Sequence, residues 1–175
     1  MERDRILLRK IARRDEQAFA ELVARYGGRL LAVARRLLGS AADAEDAVQR
    51  ALLQCYVGAG SYQPQWAVST WLYRIVTNVC IDELRRRAGR SALGAAVARE
   101  PRRDVPDRHG EQLDLARALE RVPREARVLL ALRYVDGLSY GELARVRGIS
   151  VNTVKSQLAR GKVILRAALG EGDAR

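Results

Sequence analysis

Two cysteines, one histidine and the lack of any long uncharged run are the first constraints on this 175-residue chain. Cys55 and Cys80 each fall inside a helical pattern on or near an apolar face, which suits buried thiols rather than a disulfide. The single histidine, His109, lies in a stretch that reads as a linker, so no metal site can be assembled from plausible ligands. No uncharged segment approaches the length of a membrane span, and Met1 to Ile6 is charged and lacks an apolar signal core. The expected location is therefore the cytoplasm. Strand-like alternation of useful length is missing and no internal repeat is visible, which argues against sheet and solenoid architectures. No constellation of catalytic residues stands out, so neither an enzyme nor a cofactor nor a small-molecule substrate is expected.

What the chain has is positive charge. It carries 32 Lys/Arg against 21 Asp/Glu, a formal net charge of +11 and a pI near 10.6. Such a balance favours a polyanionic partner, either nucleic acid or an anionic membrane surface. Only Lys10, Lys155 and Lys162 are lysines; the other 29 basic residues are arginines. Arginine suits bidentate contacts to phosphate and guanine. Biased codon usage, together with the abundant alanine, accounts for the arginines equally well.

The most specific pattern lies near the end, from Ser139 to Leu158. Ser139 and Glu142 have the S-x-x-E spacing of a capping box, which starts a helix at Tyr140. Gly148 suits the left-handed residue that ends this helix, and Ser150 can cap the next. Two helices joined by a tight turn are the sequence form of a helix-turn-helix, whose second helix enters a DNA major groove. On that second helix Val154, Leu158, Gly161 and Leu165 recur on the face that meets the core. Asn152, Lys155, Ser156, Ala159 and Arg160 lie on the opposite arc. Asn and Lys can bond base edges, while Arg160 and Lys162 can meet phosphate. From Glu142 to Arg166 there are six Lys/Arg and a single acid, as counterion release on DNA requires. A helical hairpin with a solvated basic face is the plain alternative. Turn chemistry, helical wheel and charge all agree on DNA.

Upstream, the chain reads as helix throughout. Phe19, Leu22, Val23 and Tyr26 form one stripe that Gly27-Gly28 is expected to end; Leu30, Val33, Ala34 and Leu37 form the next, ended by Gly39. Ser40 or Asp43 caps a third helix in which Ala44, Val48, Leu52 and Cys55 face inward. Gly58, Gly60, Ser61 and Pro64 mark a loop, and a fourth helix is expected from about Ser69 to Arg87. Residues 88–111 hold Gly89, Gly94, Pro101, Pro106 and Gly110 with mixed charges, a flexible linker. Helical pattern resumes at Leu113, Leu115, Leu119 and Val122. Pro123 opens another helix with Val128, Leu129 and Leu132 buried, and Gly137 ends it. The fold class is all-α: two small helical domains, 1–87 and 112–175, on a basic tether.

The fourth helix and the loop before it carry the other chemistry. Leu72, Ile75, Val76 and Val79 form its buried side. Arg74, Asn78 and Arg85 share an exposed side, with Trp71 at its edge and Asp82 nearby. The loop supplies Tyr62 and Trp66. Aromatics beside arginines and an asparagine make a platform for unstacked bases, since every base has a stackable face and a bonding edge. Arg85-Arg86-Arg87 would follow the phosphates. Spacing alone favours a core role for Trp71 and Tyr73, and leaves the loop residues open.

Three segments together resemble a known family. They are Asp43-Ala44-Glu45-Asp46-Ala47-Val48-Gln49; Trp71-Leu72-Tyr73-Arg74-Ile75 with Asn78 and Ile81-Asp82; and Ser139 to Ala144 with Gly148 to Ser156. In order and register they resemble the extracytoplasmic-function (ECF) group of bacterial sigma factors in the sigma-70 family, across nearly the whole chain. The resemblance implies a four-helix region 2 domain, a short linker and a region 4 helix-turn-helix domain. It implies a protein that binds core RNA polymerase and directs promoter-specific initiation, with polymerisation chemistry left to the polymerase. Asp46, Gln49, Arg50 and Leu53 would meet the polymerase clamp helices. The loop from Ser61 through Tyr62 and Trp66 to Ser69 would hold a base flipped from the −10 element, and Asn78 would contact another, with Arg74, Asp82 and Arg85 alongside. Captured bases offset part of the unpairing cost, so recognition and melting become one event. Asn152, Lys155, Ser156, Ala159 and Arg160 would read the −35 element, largely through DNA shape. The resemblance also implies a cognate anti-sigma factor able, if membrane-bound, to hold the protein at the inner membrane.

The chain departs from the family pattern at Arg50, where an acid is usual. Trp66 and Val68 stand where a basic residue and a phenylalanine are frequent. Gln157 replaces a common arginine and so removes one phosphate contact. Two other readings compete: a duplex-binding regulator that ignores polymerase, and an interaction protein that only titrates an anti-sigma partner. The first leaves the amino-terminal match without a purpose, and only Arg50 favours the second.

Overall fold

In the computed structural model, residues 2–92, 115 and 117–170 are described, and they contain helices, turns and no strand. The helices are α1 (Glu2–Ala12), α2 (Glu16–Leu38), α3 (Ala41–Gly58), α4 (Val68–Ala92), a short α5 over 117–121, α6 (Arg124–Val135), α7 (Tyr140–Arg147) and α8 (Val151–Gly170). A single 3₁₀ turn, Ala59–Ser61, follows α3. Residues 93–114, which hold most of the expected linker and His109, lie outside the described residues.

Local chemistry sets the boundaries. Asp15 starts α2 by accepting a 2.9 Å hydrogen bond from the Ala18 amide, and Ser40 starts α3 by accepting from the Asp43 amide at 3.3 Å. Gly39 ends α2 at φ 70, where a side chain would strain the backbone. Gly27-Gly28, in contrast, ends nothing. The chain passes through both glycines as helix, because Leu22, Tyr26, Leu30, Val33 and Leu37 continue one buried stripe across them. Helix propensity, weak at glycine, yields to that continuous burial. Helix α4 likewise runs past Arg87 to Ala92, five residues into the stretch that reads as linker.

Helix α2 sits at the centre, packed by α1, α3, α4 and α6. The core is one cluster that continues from Leu8, Leu22 and Leu72 into Leu129, Leu132 and Leu158. Helix α6 is buried at every position from Ala126 to Leu132. A helix covered on one side buries a stripe, not a consecutive run. α6 is enclosed because α8 lies against one of its faces and α2 against another, and α7 in turn rests on α4. Ile75, Leu52 and Leu165, expected inside, are only partly buried at the margins of this core.

Candidate nucleic-acid interface

The helix-turn-helix is built by short-range bonds. The Ser139 amide donates to Glu142 Oε2 at 2.7 Å while Ser139 Oγ accepts from the Glu142 amide at 3.3 Å, which completes the capping box. Gly148 takes φ 66, and Ser150 Oγ accepts from the Thr153 amide at 3.0 Å to open α8. Val154, Leu158 and Gly161 face inward, and Gly161 lets α8 approach α6 closely. The arc of Asn152, Lys155, Ser156, Ala159 and Arg160 is exposed along its full length. Ser156 donates to the Thr153 carbonyl at 3.0 Å, which leaves its oxygen free to accept. The Lys162 ammonium lies 5.7 Å from the Tyr134 ring centre rather than standing out toward a phosphate. Gln157 is half-buried, with Oε1 lacking a hydrogen-bond partner.

Sequence reasoning missed one residue that positions this motif. Arg133 on α6 donates to the Leu138 carbonyl at 2.8 Å and lies 5.4 Å from the Tyr140 ring centre, stitching α6 to the start of α7. Its only signal was an arginine six residues before a capping box, too generic to single out.

The second surface joins α4 to the loop before it. Arg74, Asn78, Asp82 and Arg85 are all exposed, as the helical wheel requires. The Arg74 guanidinium lies 5.6 Å from the Trp66 ring centre, and the Tyr62 hydroxyl donates to the Trp66 carbonyl. Tyr62 also meets Trp71 edge-on at 5.6 Å. The loop's aromatic residues are therefore ordered against α4. Ser61 donates to the Gly58 carbonyl at 2.7 Å, and Ser69 is half-buried at the start of α4. Tyr73 is a core residue, while Trp71 is half-buried at the rim.

All three arginines expected to follow the phosphates have partners within the protein. Arg87 turns inward, donating to the Leu38 carbonyl at 3.0 Å and pairing with Asp43 at 2.7 Å; it ties α4 to α2 and α3. Arg86 pairs with Glu83 at 3.5 Å and Arg85 with Asp82 at 3.5 Å. Asn78 also has a partner that sequence spacing does not suggest. Its side-chain oxygen accepts from Arg147 at 3.0 Å, and the same guanidinium bonds Glu125 at 2.8 Å. The end of α7 thus contacts Asn78, which stays exposed, while the reading arc of α8 is open along its length.

On α3, Asp46, Gln49 and Leu53 point outward, and Leu53 is 63% exposed. Val57, four residues on and 64% exposed, extends the same apolar line; the i, i+4 spacing was its signal. Arg50 leaves that line and reaches Glu83 on α4 at 3.3 Å. Burial acts to raise the Glu83 carboxyl, but Arg87, Arg50 and Arg86 outweigh it and hold the group below its usual range. Cys55 and Cys80 are buried free thiols, each pushed up to about 12 by burial.

Among the described residues no helix is long and apolar enough to cross a membrane, and no group of His, Cys, Asp and Glu could hold a metal ion. Comparison with known proteins places these surfaces in context. Residues 22–90 match the family model described as Sigma-70 region 2, and residues 112–165 match Sigma-70, region 4. The chain is 31% identical to the ECF RNA polymerase sigma factor SigW of Bacillus subtilis, over 93% of this chain and 94% of that one. It is 36% identical to the ECF sigma factor SigM of Mycobacterium tuberculosis, over 89% of this chain and 79% of that one. A solved structure of the sigma factor RpoE with the anti-sigma factor NepR from Bartonella quintana superposes with a TM-score of 0.73 at 25% identity, covering 87% of this chain and 96% of that one.

Proposed function

The chain belongs to the sigma-70 family, in its extracytoplasmic-function group, and on that premise we propose how its two helical surfaces divide the work of promoter recognition. It is an RNA polymerase sigma factor that binds core polymerase and promoter DNA and directs where transcription starts. Its region 4 surface grips duplex at the −35 element with Asn152, Lys155, Ser156, Ala159 and Arg160. Its region 2 surface melts the −10 element: Ser61, Tyr62, Trp66 and Ser69 frame a flipped base, and Arg74, Asn78, Asp82 and Arg85 follow the strand. Asp46, Gln49 and Leu53, extended by Val57, face the polymerase. Arg50 supports this face indirectly, through Glu83.

The observation that carries the −10 assignment is the ordered pairing of Trp66 with Arg74 beside exposed Asn78. An aromatic ring under a guanidinium, next to an amide, offers both stacking and a base-edge bond in one place. Polymerisation stays with the polymerase, so this chain performs no catalysis of its own. An anti-sigma partner, membrane-bound or not, fits the same reading, and cytoplasmic residence follows from the polymerase it serves.

Purified protein added to core polymerase on a genomic library, with transcript starts mapped, tests the function. New starts that share −35 and −10 elements are expected. Duplex binding with no polymerase complex and no new starts would make the chain a simple regulator. On a mapped promoter, Asn78→Ala and Trp66→Ala should leave polymerase binding intact and lower permanganate reactivity of the melted thymines. Unchanged reactivity removes these residues from the site.

A further inference from the structure

Arg147 joins the two halves of the chain at a side chain assigned to promoter DNA. It ends α7, and its guanidinium donates to Asn78 Oδ1 on α4 at 3.0 Å and to Glu125 on α6 at 2.8 Å. The Arg147 side chain is only 12% exposed, and its Nε is buried without a partner. A second tie crosses between the halves: Arg29 of α2 lies 3.8 Å from Asp136, the residue that caps the end of α6. Around these ties α6 packs on α2 and α7 on α4, in one continuous apolar cluster.

We propose that this joint is an autoinhibitory latch: the free chain is held closed by Arg147 on Asn78, and the latch opens when the two regions part on core polymerase. The proposal rests on the assignment of Asn78 to the −10 element and adds its regulation. Elements at −35 and −10 lie about 25 base pairs apart, which is about 85 Å of duplex at about 3.4 Å per pair. Residues packed on one core in this number have a radius of gyration of about 15 Å and span about 40 Å. The closed chain is therefore too small to hold both elements at once, and the joint has to open for promoter recognition. While it is closed, a charge-assisted bond occupies the Asn78 oxygen, the end of the amide that would accept from a base amino group. The exposed arc of α8 is not engaged, so the latch withholds the −10 contact and leaves the −35 surface free. The unmet Nε disfavours the closed state, so the joint is held loosely enough to part.

Energy transfer between dyes placed by Gln17→Cys on α2 and Ala167→Cys on α8 reads the separation of the halves in the full chain. Both positions are exposed, and the native thiols, Cys55 and Cys80, are buried. Wild-type protein alone should show one short-distance population, which core polymerase converts to a long-distance one. Arg147→Ala should raise the open fraction about tenfold without polymerase, the effect of losing one charge-assisted hydrogen bond. Its apparent affinity for core polymerase should tighten by the same factor, because less closed chain has to be opened. Arg29→Ala, at a side chain 64% exposed, is expected to fold as wild type and to raise the open fraction about twofold. A long-distance population that already dominates the free wild type would overturn the latch. So would an Arg147→Ala protein that melts at lower temperature with distance and polymerase affinity unchanged, since Arg147 would then be a structural bond only. The distance in the free chain is measured without DNA or polymerase. Failure of the latch is therefore distinct from failure of the −10 assignment, which shows as normal permanganate reactivity in Asn78→Ala.

Discussion

Adding one methyl group should destabilise this protein at Gly161 and stabilise it at Gly28. Both glycines lie inside helices, where alanine is intrinsically better than glycine by about 1 kcal/mol. At Gly28 a Cβ would meet nothing within 4 Å, so that gain is realised. At Gly161 a Cβ would sit 3.1 Å from Ala126 Cβ, 3.2 Å from Leu130 Cδ1 and 3.5 Å from Val122 Cγ1. Carbon atoms pack best at about 3.5–4.0 Å. Leu130 can rotate, but Ala126 Cβ is fixed to the α6 backbone, so the two helices must separate by a few tenths of an ångström. Such overpacking costs about 1–3 kcal/mol. Set against the propensity gain, Gly161→Ala should lose about 1 kcal/mol, which leaves the two substitutions about 2 kcal/mol apart. For a chain of this size that is about 4–8 °C in melting temperature. Urea and thermal unfolding followed by far-UV circular dichroism measure both variants. If Gly161→Ala raises the midpoint as much as Gly28→Ala does, α8 is not seated on α6 as described, and the position assigned to the reading helix is wrong.

Three further outcomes follow from named interactions. Ser139→Ala removes the hydroxyl of the capping box and should cost about 1 kcal/mol in urea unfolding. The Glu142 carboxyl is held below its ordinary range, first by the Ser139 hydroxyl and then by the Ser139 amide. A depressed carboxyl adds stability above its unfolded pKa and loses it as pH falls through the folded value, so Ser139→Ala should also flatten the acid limb of a stability–pH curve. An unaltered limb would remove the cap from the account. Cys55 and Cys80, with thiols near 12, should resist a thiol reagent in mildly alkaline buffer until urea unfolds the chain; fast labelling of the native protein would contradict their burial. Glu83→Gln strips the common partner from Arg50, Arg86, Arg87 and Arg90. At a half-sheltered site the expected loss is about 2 kcal/mol, between surface and buried ion pairs, and an unchanged urea midpoint would deny the cluster a structural role.

The helices and their ends were legible because they depend on residues three or four apart. Ser139 with Glu142, Gly148, Ser150 and the Val154–Leu158–Gly161 stripe all appear in the structure where the sequence places them. The exposed arc of α8 follows from the same period. Gly27-Gly28 misled because a local breaker signal was weighed without the burial on either side of it. The aromatic loop was legible as composition only. That Trp66 comes under Arg74, and that Tyr62 reaches back to the Trp66 carbonyl, depends on how the loop folds onto α4.

By itself, then, the sequence determined an all-helical chain with a helix-turn-helix, a basic reading arc and a resemblance that covers both domains. These rest on periodicity, caps and charge, which act over one helical turn and need no knowledge of what packs where. Tertiary structure alone decided which long charged side chains are spent inside the protein. It turned Arg50 to Glu83, drew Arg87 into the joint of α2, α3 and α4, and brought Arg147 to Asn78 across 69 residues. A guanidinium on a flexible stem pairs with whichever carboxylate or carbonyl the helix packing brings within about 3 Å, and in a chain with 29 arginines that choice is invisible until the helices are assembled.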